Sequence, residues 1–195
     1  MTTYRILCTG NPIKPGIPKA VADAFSDVDF ISLSTGYDLN SIDGQEYFRS
    51  IIKDYNVFIN VAQLTNGSQE ELLKIAHRSG MQGHVFNIGS IAEYKKWEWY
   101  DANYTAEKRS LRESSLNLCS ELFKTTHIVV GGFRDASNNC TDRMDPIEIV
   151  KAIWYILHST INIPIIGIEQ IKDNVMQEQL KVKIAFDFPD QDYKS

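Results

Sequence analysis

The sequence predicts an α/β fold: a three-layer, doubly wound parallel sheet with helices on both faces. Short apolar runs alternate with helical patterns from one end of the chain to the other, and no repeat or linker-like segment interrupts them. The runs are mostly apolar, which is typical of strands buried on both faces. The chain has 195 residues. We expect one domain over residues 1–172 and a tail over 173–195 with one candidate strand.

Six runs are predicted to be strands because each is short, apolar and followed by a turn or a helical pattern. In chain order these runs are Tyr4–Thr9, Asp29–Leu33, Val57–Ala62, Val85–Gly89, His127–Val130 and Ile163–Ile168.

Helical patterns fill the intervals between these strands. The predicted helices before the fifth strand run over about Ile17–Phe25, Gly44–Lys53, Gln69–Arg78 and Asn103–Phe123. Pro18 suits the first turn of the first helix, where its missing N–H costs nothing. The longest helix is expected to place three leucines on one face, namely Leu111, Leu118 and Leu122.

The last predicted helix begins after Asp145, which we expect to be its N-cap, with Pro146 at its first position. Its apolar residues recur at spacings of three, four and three, which is the helical period. This predicted buried stripe consists of Ile147, Val150, Trp154 and Leu157.

Composition and charge exclude several classes of function. Twenty basic and twenty-five acidic residues give a net charge of −5, which argues against nucleic acid or an anionic membrane as the main partner. The three cysteines are too few and too scattered for a disulfide framework or a zinc site, and the four histidines show no ligand spacing, so we assign no metal. We also expect no signal peptide, no transmembrane segment and a cytoplasmic location.

A glycine-containing turn joins the first strand to the first helix, in the order Thr9-Gly10-Asn11-Pro12-Ile13-Lys14-Pro15-Gly16-Ile17-Pro18. Glycine at such a turn lets the backbone approach a pyrophosphate, and the helix N-terminus offers unpaired N–H groups. An ordinary tight turn between a strand and a helix would explain the same residues.

Two polar features follow the third and fourth strands. Asn60 lies within an apolar strand and must find buried hydrogen-bond partners, either by tying strands together near a ligand or by satisfying a loop. Ser90 ends the fourth strand, and Tyr104 and Lys108 follow it with a spacing of four on the longest helix. Residues at i and i+4 share a helix face, so the ammonium can favour the phenolate of Tyr104. Alone, this spacing also fits a solvated helix face.

The ordered set of Thr9-Gly10, Asp38-Leu39, Asn60-Val61-Ala62, Ser90 and Tyr104-x-x-x-Lys108 resembles the short-chain dehydrogenase/reductase family over roughly residues 4–171. The resemblance implies a Rossmann fold that binds NAD(P). It also implies that Tyr104 is the proton donor and acceptor, that Lys108 binds the nicotinamide ribose, and that Ser90 orients the substrate oxygen.

The resemblance further implies a set of cofactor-binding positions. Gly10 and Gly16 would line the pyrophosphate, with Thr9 and Ile17 beside them, and Asp38 and Leu39 would lie at the adenine. Asn60 and Ala62 would support the cleft. Gly131 and Gly132 would lie beside the nicotinamide.

The chain departs from the family pattern at several places. The glycine loop is two residues longer between its first two glycines, and the third glycine falls on Pro18. Gln63 replaces a glycine after the third strand. The helix and strand that usually precede the Asp38 position are missing, and no counterpart of the family's catalytic asparagine is found.

NADP is the favoured cofactor at this stage. The second strand ends Ser32-Leu33-Ser34-Thr35, with no carboxylate to repel a 2′-phosphate, and Lys14 lies in the glycine loop near the family's basic position. In the alternative interpretation, Lys14 points to solvent and Ser34 only caps the turn.

The resemblance predicts an NAD(P)-dependent oxidoreductase that interconverts a small carbonyl compound and an alcohol, as a homodimer or homotetramer. A dinucleotide-binding sensor or scaffold with weak or no catalysis is the alternative, and a structural protein that binds no nucleotide is a third. Three segments stay open. The aromatic residues Tyr94, Trp97, Trp99 and Tyr100 could line a substrate pocket or an oligomer interface. Arg134 or Arg143 could meet an anionic group. The alternating run 181–188 could extend the sheet or dock on a partner.

Overall fold

The computed structural model describes residues 4–62, 67–94, 101–132 and 143–168, whose strands form one six-stranded sheet. The strands are β1 (Ile6–Thr9), β2 (Val28–Ile31), β3 (Val57–Asn60), β4 (Gly83–Ile88), β5 (Phe123–Val130) and β6 (Ile165–Ile168). Their order in the sheet is β2-β1-β3-β4-β5-β6, and every neighbouring pair is parallel. The predicted all-parallel fold is therefore confirmed.

Five helices connect the strands and lie on both faces of the sheet. They are α1 (Ile17–Ala24), α2 (Ile42–Ile51), α3 (Ser68–Arg78), α4 (Ala102–Leu118) and α5 (Ile147–His158). One buried cluster joins α1 and α5 to the sheet, and a second joins α2, α3 and α4 to its other face. The layers are thus helix, sheet and helix, as the doubly wound arrangement requires.

The two clusters explain why the strands read as continuous apolar runs. In β1, Ile6 and Cys8 belong to the cluster with α1 and α5, whereas Leu7 between them belongs to the opposite cluster. In β4, Phe86 and Val85 divide in the same way. Successive side chains of a strand point to opposite faces, so a strand covered on both sides needs apolar residues at every position.

The predicted end of the longest helix is wrong. The helix α4 ends at Leu118, and Phe123 is the first residue of β5. A tight turn separates the two elements: the N–H of Ser120 donates to the carbonyl of Phe123, whose own N–H donates to Ser120 Oγ. Leu122 is therefore not on the helix, and its side chain is 65% exposed. Phe123 belongs to the strand because its side chain is buried in the sheet, whereas it would be exposed at the end of the helix.

The predicted buried stripe of α5 is also wrong at Trp154, which is 55% exposed and stacks on His158. The buried residues of α5 are Ile149, Val150, Ile153 and Ile156, and Ile147 and Leu157 pack against the same core while partly buried. The helix is apolar on two adjacent faces, so spacing alone could not tell which face meets the sheet. Its start is nearly as expected: the Asp145 carboxylate accepts the N–H of Ile147, although the helix begins after Pro146 rather than at it.

Several predictions fall outside the described residues: Gln63, Trp97, Trp99, Tyr100, Arg134 and the strand in the tail at 181–188. Within the described part of the chain, none of the helices is both long and apolar enough to span a membrane.

Candidate functional site

Four strand ends bring the predicted polar residues to one edge of the sheet. Thr9 ends β1, Asn60 ends β3, and Gly131 follows β5, while Ser90 lies two residues beyond the end of β4. The chain turns from β1 toward β2 on one side and from β3 toward β4 on the other. Ligands of doubly wound folds bind at the carboxyl ends of the strands, where this reversal occurs. This edge is therefore the candidate site.

Lys108 is the buried cation of the site. It lies on α4 with its side chain turned toward the sheet, and it is 5% exposed. Its ammonium donates to the carbonyl of Ile88 (Nζ–O 3.0 Å) and to Gln69 Oε1 (2.5 Å). Burial lowers the pKa of Lys108 to about 8, because a charged amine loses water there. Since an ammonium has three protons, these two acceptors leave one to donate to a ligand.

Tyr104 lies one helical turn from this cation, as the spacing of four predicted, and Ser90 follows the strand end that the cation contacts. The Lys108 Nζ is 5.6 Å from the centre of the Tyr104 ring, one helical turn away. Ser90 follows Ile88, the residue whose carbonyl binds Lys108, by two positions. Ser90 Oγ accepts the N–H of Ala92 at 3.2 Å, which fixes the side chain and leaves its own O–H able to donate.

Gln69 is a site residue that sequence reasoning missed. It is buried near the start of α3, where its Oε1 accepts from Lys108 and its Nε2 donates to the carbonyl of Asn60 at 2.9 Å. Asn60 Nδ2 donates in turn to the Gln69 carbonyl (2.8 Å) and to Asn87 Oδ1 (2.9 Å). Asn60 therefore ties β3 to β4 and α3 through its side-chain amide. The sequence could have indicated Gln69 as a site residue, because it is a polar residue on the face of a predicted helix that packs against the sheet.

The glycine turn after β1 has the backbone that its sequence suggests. Gly10 has φ 120°, and a Cβ on it would lie 2.5 Å from Pro18 Cγ, so only glycine fits there. Gly16 is the N-cap of α1, and no side chain caps that helix end. The Ile17 side chain is buried in the core, so it can contribute to a ligand site only through its backbone. Uncapped N–H groups at a helix N-terminus are a favourable anion site.

Solved structures with this architecture give the comparison that decides the fold. An oxidoreductase (short chain dehydrogenase/reductase) from Brucella ovis matches with a TM-score of 0.63 and 15% identity, over 87% of this chain and 100% of that one. A short chain dehydrogenase from Burkholderia cenocepacia in complex with NADP gives 0.65 and 12%, over 86% and 88%. The bulky-bulky ketone specific alcohol dehydrogenase from Comamonas testosteroni gives 0.63 and 16%, over 84% and 86%.

This chain has the short-chain dehydrogenase/reductase fold. No protein-family model and no curated protein matches the sequence. The likeness therefore lies in the arrangement of the chain, at low sequence identity, and it agrees with the resemblance carried by the ordered motifs.

Thr9 joins two strands of the short-chain dehydrogenase/reductase fold at the floor of the site. Its buried Oγ1 accepts the N–H groups of Val61 (2.8 Å) and Ala62 (2.9 Å). These two donors are consequently used within the protein. The N–H group of Ala62 is therefore not free to bind a ligand.

The expected adenosine side of the fold is built from exposed residues. Gly10 N–H donates to the carbonyl of Ile31, so the turns after β1 and β2 start side by side. Lys14 and Ser34 are both exposed, and Ser34 Oγ lies 2.7 Å from Ser32 Oγ. Only a single turn of 3₁₀ helix lies between β2 and Asp38. The shortened connection that the sequence indicated is therefore present.

Asp38 and Leu39 take different parts at this edge. The carboxylate of Asp38 accepts the N–H of Asn40 at 3.0 Å, which closes a turn before α2, and it remains exposed. Leu39 is buried in the core with α2 and α3. Its contribution to the site is to anchor Asp38.

Gly131 and Gly132 follow β5 where the nicotinamide side is expected. The N–H of Gly131 donates to the carbonyl of Ile168, and the carbonyl of Gly132 accepts the N–H of Met144. A Cβ on Gly132 would lie 3.1 Å from Arg143 Nη1, so the exposed Arg143 guanidinium covers this glycine. This arrangement keeps Arg143 as the candidate for an anionic group.

Tyr94 is the one described residue of the aromatic segment, and its ring is 54% exposed. The Arg112 guanidinium lies 4.9 Å from the centre of that ring. Among the described residues, no group of three or more histidine, cysteine or acidic side chains is placed to hold a metal ion.

Proposed function

We propose that this protein is an NAD(P)-dependent oxidoreductase of the short-chain dehydrogenase/reductase type that interconverts a small carbonyl compound and an alcohol. The observation that carries the proposal is the buried Lys108 ammonium, with the Tyr104 ring 5.6 Å from it and the end of β4 bound to it. Such an arrangement is costly to bury, and it is useful where a proton must move at neutral pH.

The residues present fit a nicotinamide dinucleotide. Gly10 carries no side chain in the first turn, although Pro18 packs against it, and the uncapped N-terminus of α1 at Gly16 offers N–H groups to a pyrophosphate. The remaining proton of Lys108 can be donated to a ribose hydroxyl at the end of β4. When bound, the cofactor supplies the hydride chemistry that side chains lack.

The side chains of the site then have distinct tasks. The Ser90 O–H donates a hydrogen bond to the substrate oxygen and holds it at the end of β4. Tyr104 gives a proton to that oxygen in reduction and takes one in oxidation, and the positive charge of Lys108 favours its phenolate. Gln69 and the carbonyl of Ile88 hold Lys108 in place.

Replacement of Tyr104 by phenylalanine tests this assignment. We expect Tyr104→Phe to abolish turnover across a panel of aldehydes and ketones, read as NAD(P)H absorbance, because the proton donor is lost. Stabilisation by the dinucleotide in a thermal-shift assay should persist, since the ring remains. Tyr155→Phe, on the exposed face of α5, is the matched control and should retain full turnover. Undiminished turnover in Tyr104→Phe would refute the assignment.

We propose NADP as the preferred cofactor, because exposed Lys14 and Ser34 flank the expected ribose position and β2 ends without a carboxylate. Lys14→Ala should remove about 1 kcal/mol or more of the preference for NADPH over NADH, the size of a charge-assisted phosphate contact. Titration calorimetry with both dinucleotides measures it, and Lys53→Ala, also exposed, is the control. Equal dissociation constants in the unmutated protein would dispose of the preference.

The second candidate function is a dinucleotide sensor or scaffold without efficient catalysis. Pro18 favours it, because it removes one N–H from the first turn of α1, where a pyrophosphate would bind. Thermal stabilisation by NADH or NADPH without turnover of any carbonyl compound would select this function. Absence of stabilisation by either dinucleotide would favour a structural protein.

We also propose that the protein is a homodimer or homotetramer and that its partner in catalysis is a small molecule. One face of α4 covers the sheet through Leu111, while Leu116 on the same helix is 40% exposed. Light scattering at micromolar concentration measures the assembly, and a monomer there would contradict the proposal.

A further inference from the structure

A buried carboxylate lies directly beneath Ser90. The side chain of Glu93, on the 3₁₀ turn Ile91–Glu93, has no exposed surface. Its Oε1 accepts the backbone N–H of Ser90 at 3.1 Å and lies 2.8 Å from His127 Nε2 on β5. The other oxygen, Oε2, has no hydrogen-bond partner among the described residues and lies 3.6 Å from Arg112 Nε. A carboxyl group this deep is not accounted for by the proton transfer at Tyr104.

Gly89 shows how tightly this carboxylate packs on the end of β4. A Cβ at Gly89 would lie 2.6 Å from Glu93 Oε1 and 2.2 Å from His127 Nε2, so no side chain can occupy the position. The preceding carbonyl, of Ile88, accepts from the Lys108 ammonium. An anion and a cation therefore contact adjacent backbone groups of one short segment, residues 88–90.

The proton positions identify which partner carries the charge. His127 Nδ1 is buried and has no partner in the described part of the chain. A bare lone pair there costs less than a bare N–H, so the neutral tautomer with the proton on Nε2 is favoured. That N–H and the N–H of Ser90 both donate to Glu93 Oε1. Two donors therefore converge on one oxygen of the Glu93 side chain.

We propose that Glu93 is a positioning residue of this site: its carboxylate fixes the Ser90 backbone and serves as the counter-ion that keeps the buried Lys108 protonated. The placement of Ser90 and Lys108 rests on the structure alone. The consequence for Tyr104 rests on the proposed function, since the phenolate is favoured only while Lys108 is charged.

Among the charged groups around Lys108, Glu93 is a fully buried acid, and its Oε2 also lies 3.6 Å from Arg112 Nε. From α3, Glu70 is already engaged by Lys74, Ser110 and Ser114, and on α4 Glu107 is partly exposed, so solvent screens it. Tyr104, Arg112 and Arg109, whose Nε donates to the Glu93 carbonyl at 2.7 Å, also lie on α4, and β5 contributes His127. Burial lowers the pKa of Lys108, while the charge of Glu93, and after it that of Glu107, raises it.

The protonation of Lys108 can be read directly by NMR of the lysine Nζ and Cε nuclei during a pH titration of the cofactor-free protein. Lys108→Gln identifies the resonance by its loss. We expect a midpoint above pH 7 in the unmutated protein. In Glu93→Gln, which keeps both acceptor contacts but removes the charge, the midpoint should fall by about one pH unit or more. Glu113→Gln, the same change at an exposed position of α4, should leave it in place.

Two outcomes overturn the proposal: a midpoint below pH 7 in the unmutated protein, or equal midpoints in Glu93→Gln and Glu113→Gln. If Glu93→Gln does not fold, Glu93→Asp replaces it. This variant withdraws the charge by one methylene, so a smaller fall is expected and an unchanged midpoint overturns the proposal. The titration needs no turnover, so its result is separate from that of Tyr104→Phe. In an active enzyme, the alkaline limit of kcat that is set by the loss of the Lys108 proton should fall to lower pH in Glu93→Gln.

Discussion

Lys108 should make the protein less stable at neutral pH than at alkaline pH, by an amount that the structure allows us to work out. Burial lowers its pKa from 10.5 to about 8, so the unfolded chain holds this proton more tightly than the folded one. Stability therefore rises with pH between these two values. The difference of about 2.5 units corresponds to roughly 3 kcal/mol of destabilisation at pH 7, and less than ~1 kcal/mol of it remains at pH 10.

Lys108→Met isolates this effect. The substitution also removes the bonds to Gln69 and Ile88, but that loss contributes equally at each pH. The unmutated protein should gain stability between pH 7 and pH 10, and the variant should not. The difference in unfolding free energy between the two proteins should therefore change by about 2 kcal/mol over this interval, in favour of the unmutated protein. Urea unfolding followed by tryptophan fluorescence at both pH values measures the change. Lys151→Met, whose side chain is 65% exposed, should show a constant difference. A constant difference for Lys108→Met as well would refute the burial of this cation.

Two further substitutions test the floor of the site. Thr9→Val removes the acceptor for the N–H groups of Val61 and Ala62, so the unfolding free energy measured in urea should fall by about 2–3 kcal/mol. Thr9→Ser keeps the hydroxyl and should recover most of this loss. A loss below ~0.5 kcal/mol in Thr9→Val would contradict the role. Gly89→Ala would bring a Cβ to 2.2 Å from His127 Nε2, so we expect a loss of more than about 2 kcal/mol or no folded protein, and near-normal stability would show that the strand end can shift.

The sheet could be predicted from the sequence because strands that are buried on both faces need mostly apolar residues. These short apolar runs are easily distinguished from the turn residues and prolines between them. The runs around β1 and β3 are mostly apolar, and the structure buries all four residues of each strand. Tyr104 and Lys108 were found for a similarly local reason: four residues on a helix make one turn, so their proximity follows from the spacing.

The remaining parts of the site depend on contacts that no spacing encodes. Glu93 and His127 are 34 residues apart, and they meet only because β4 and β5 are neighbours in the sheet. Gln69 reaches Lys108 across 39 residues for the same kind of reason. The buried face of α5 was missed differently: two adjacent apolar faces fit the helical period equally well, and only packing against the sheet distinguishes Ile153 from Trp154.

The contact between Gly10 and Pro18 has a consequence for how this loop can vary. The proline ring fills the space that a side chain at position 10 would need, so the two residues behave as one unit of substitution. Exchange of Pro18 for glycine would return an N–H to the helix end, but it would leave a void beneath Gly10 and free a backbone that the ring now restrains. A side chain at position 10 would fit only after Pro18 had been replaced, and the positive φ of this position would still strain it. Positions 10 and 18 must therefore be changed together when the loop is redesigned. The effect of a replacement at one position on stability depends on the residue at the other.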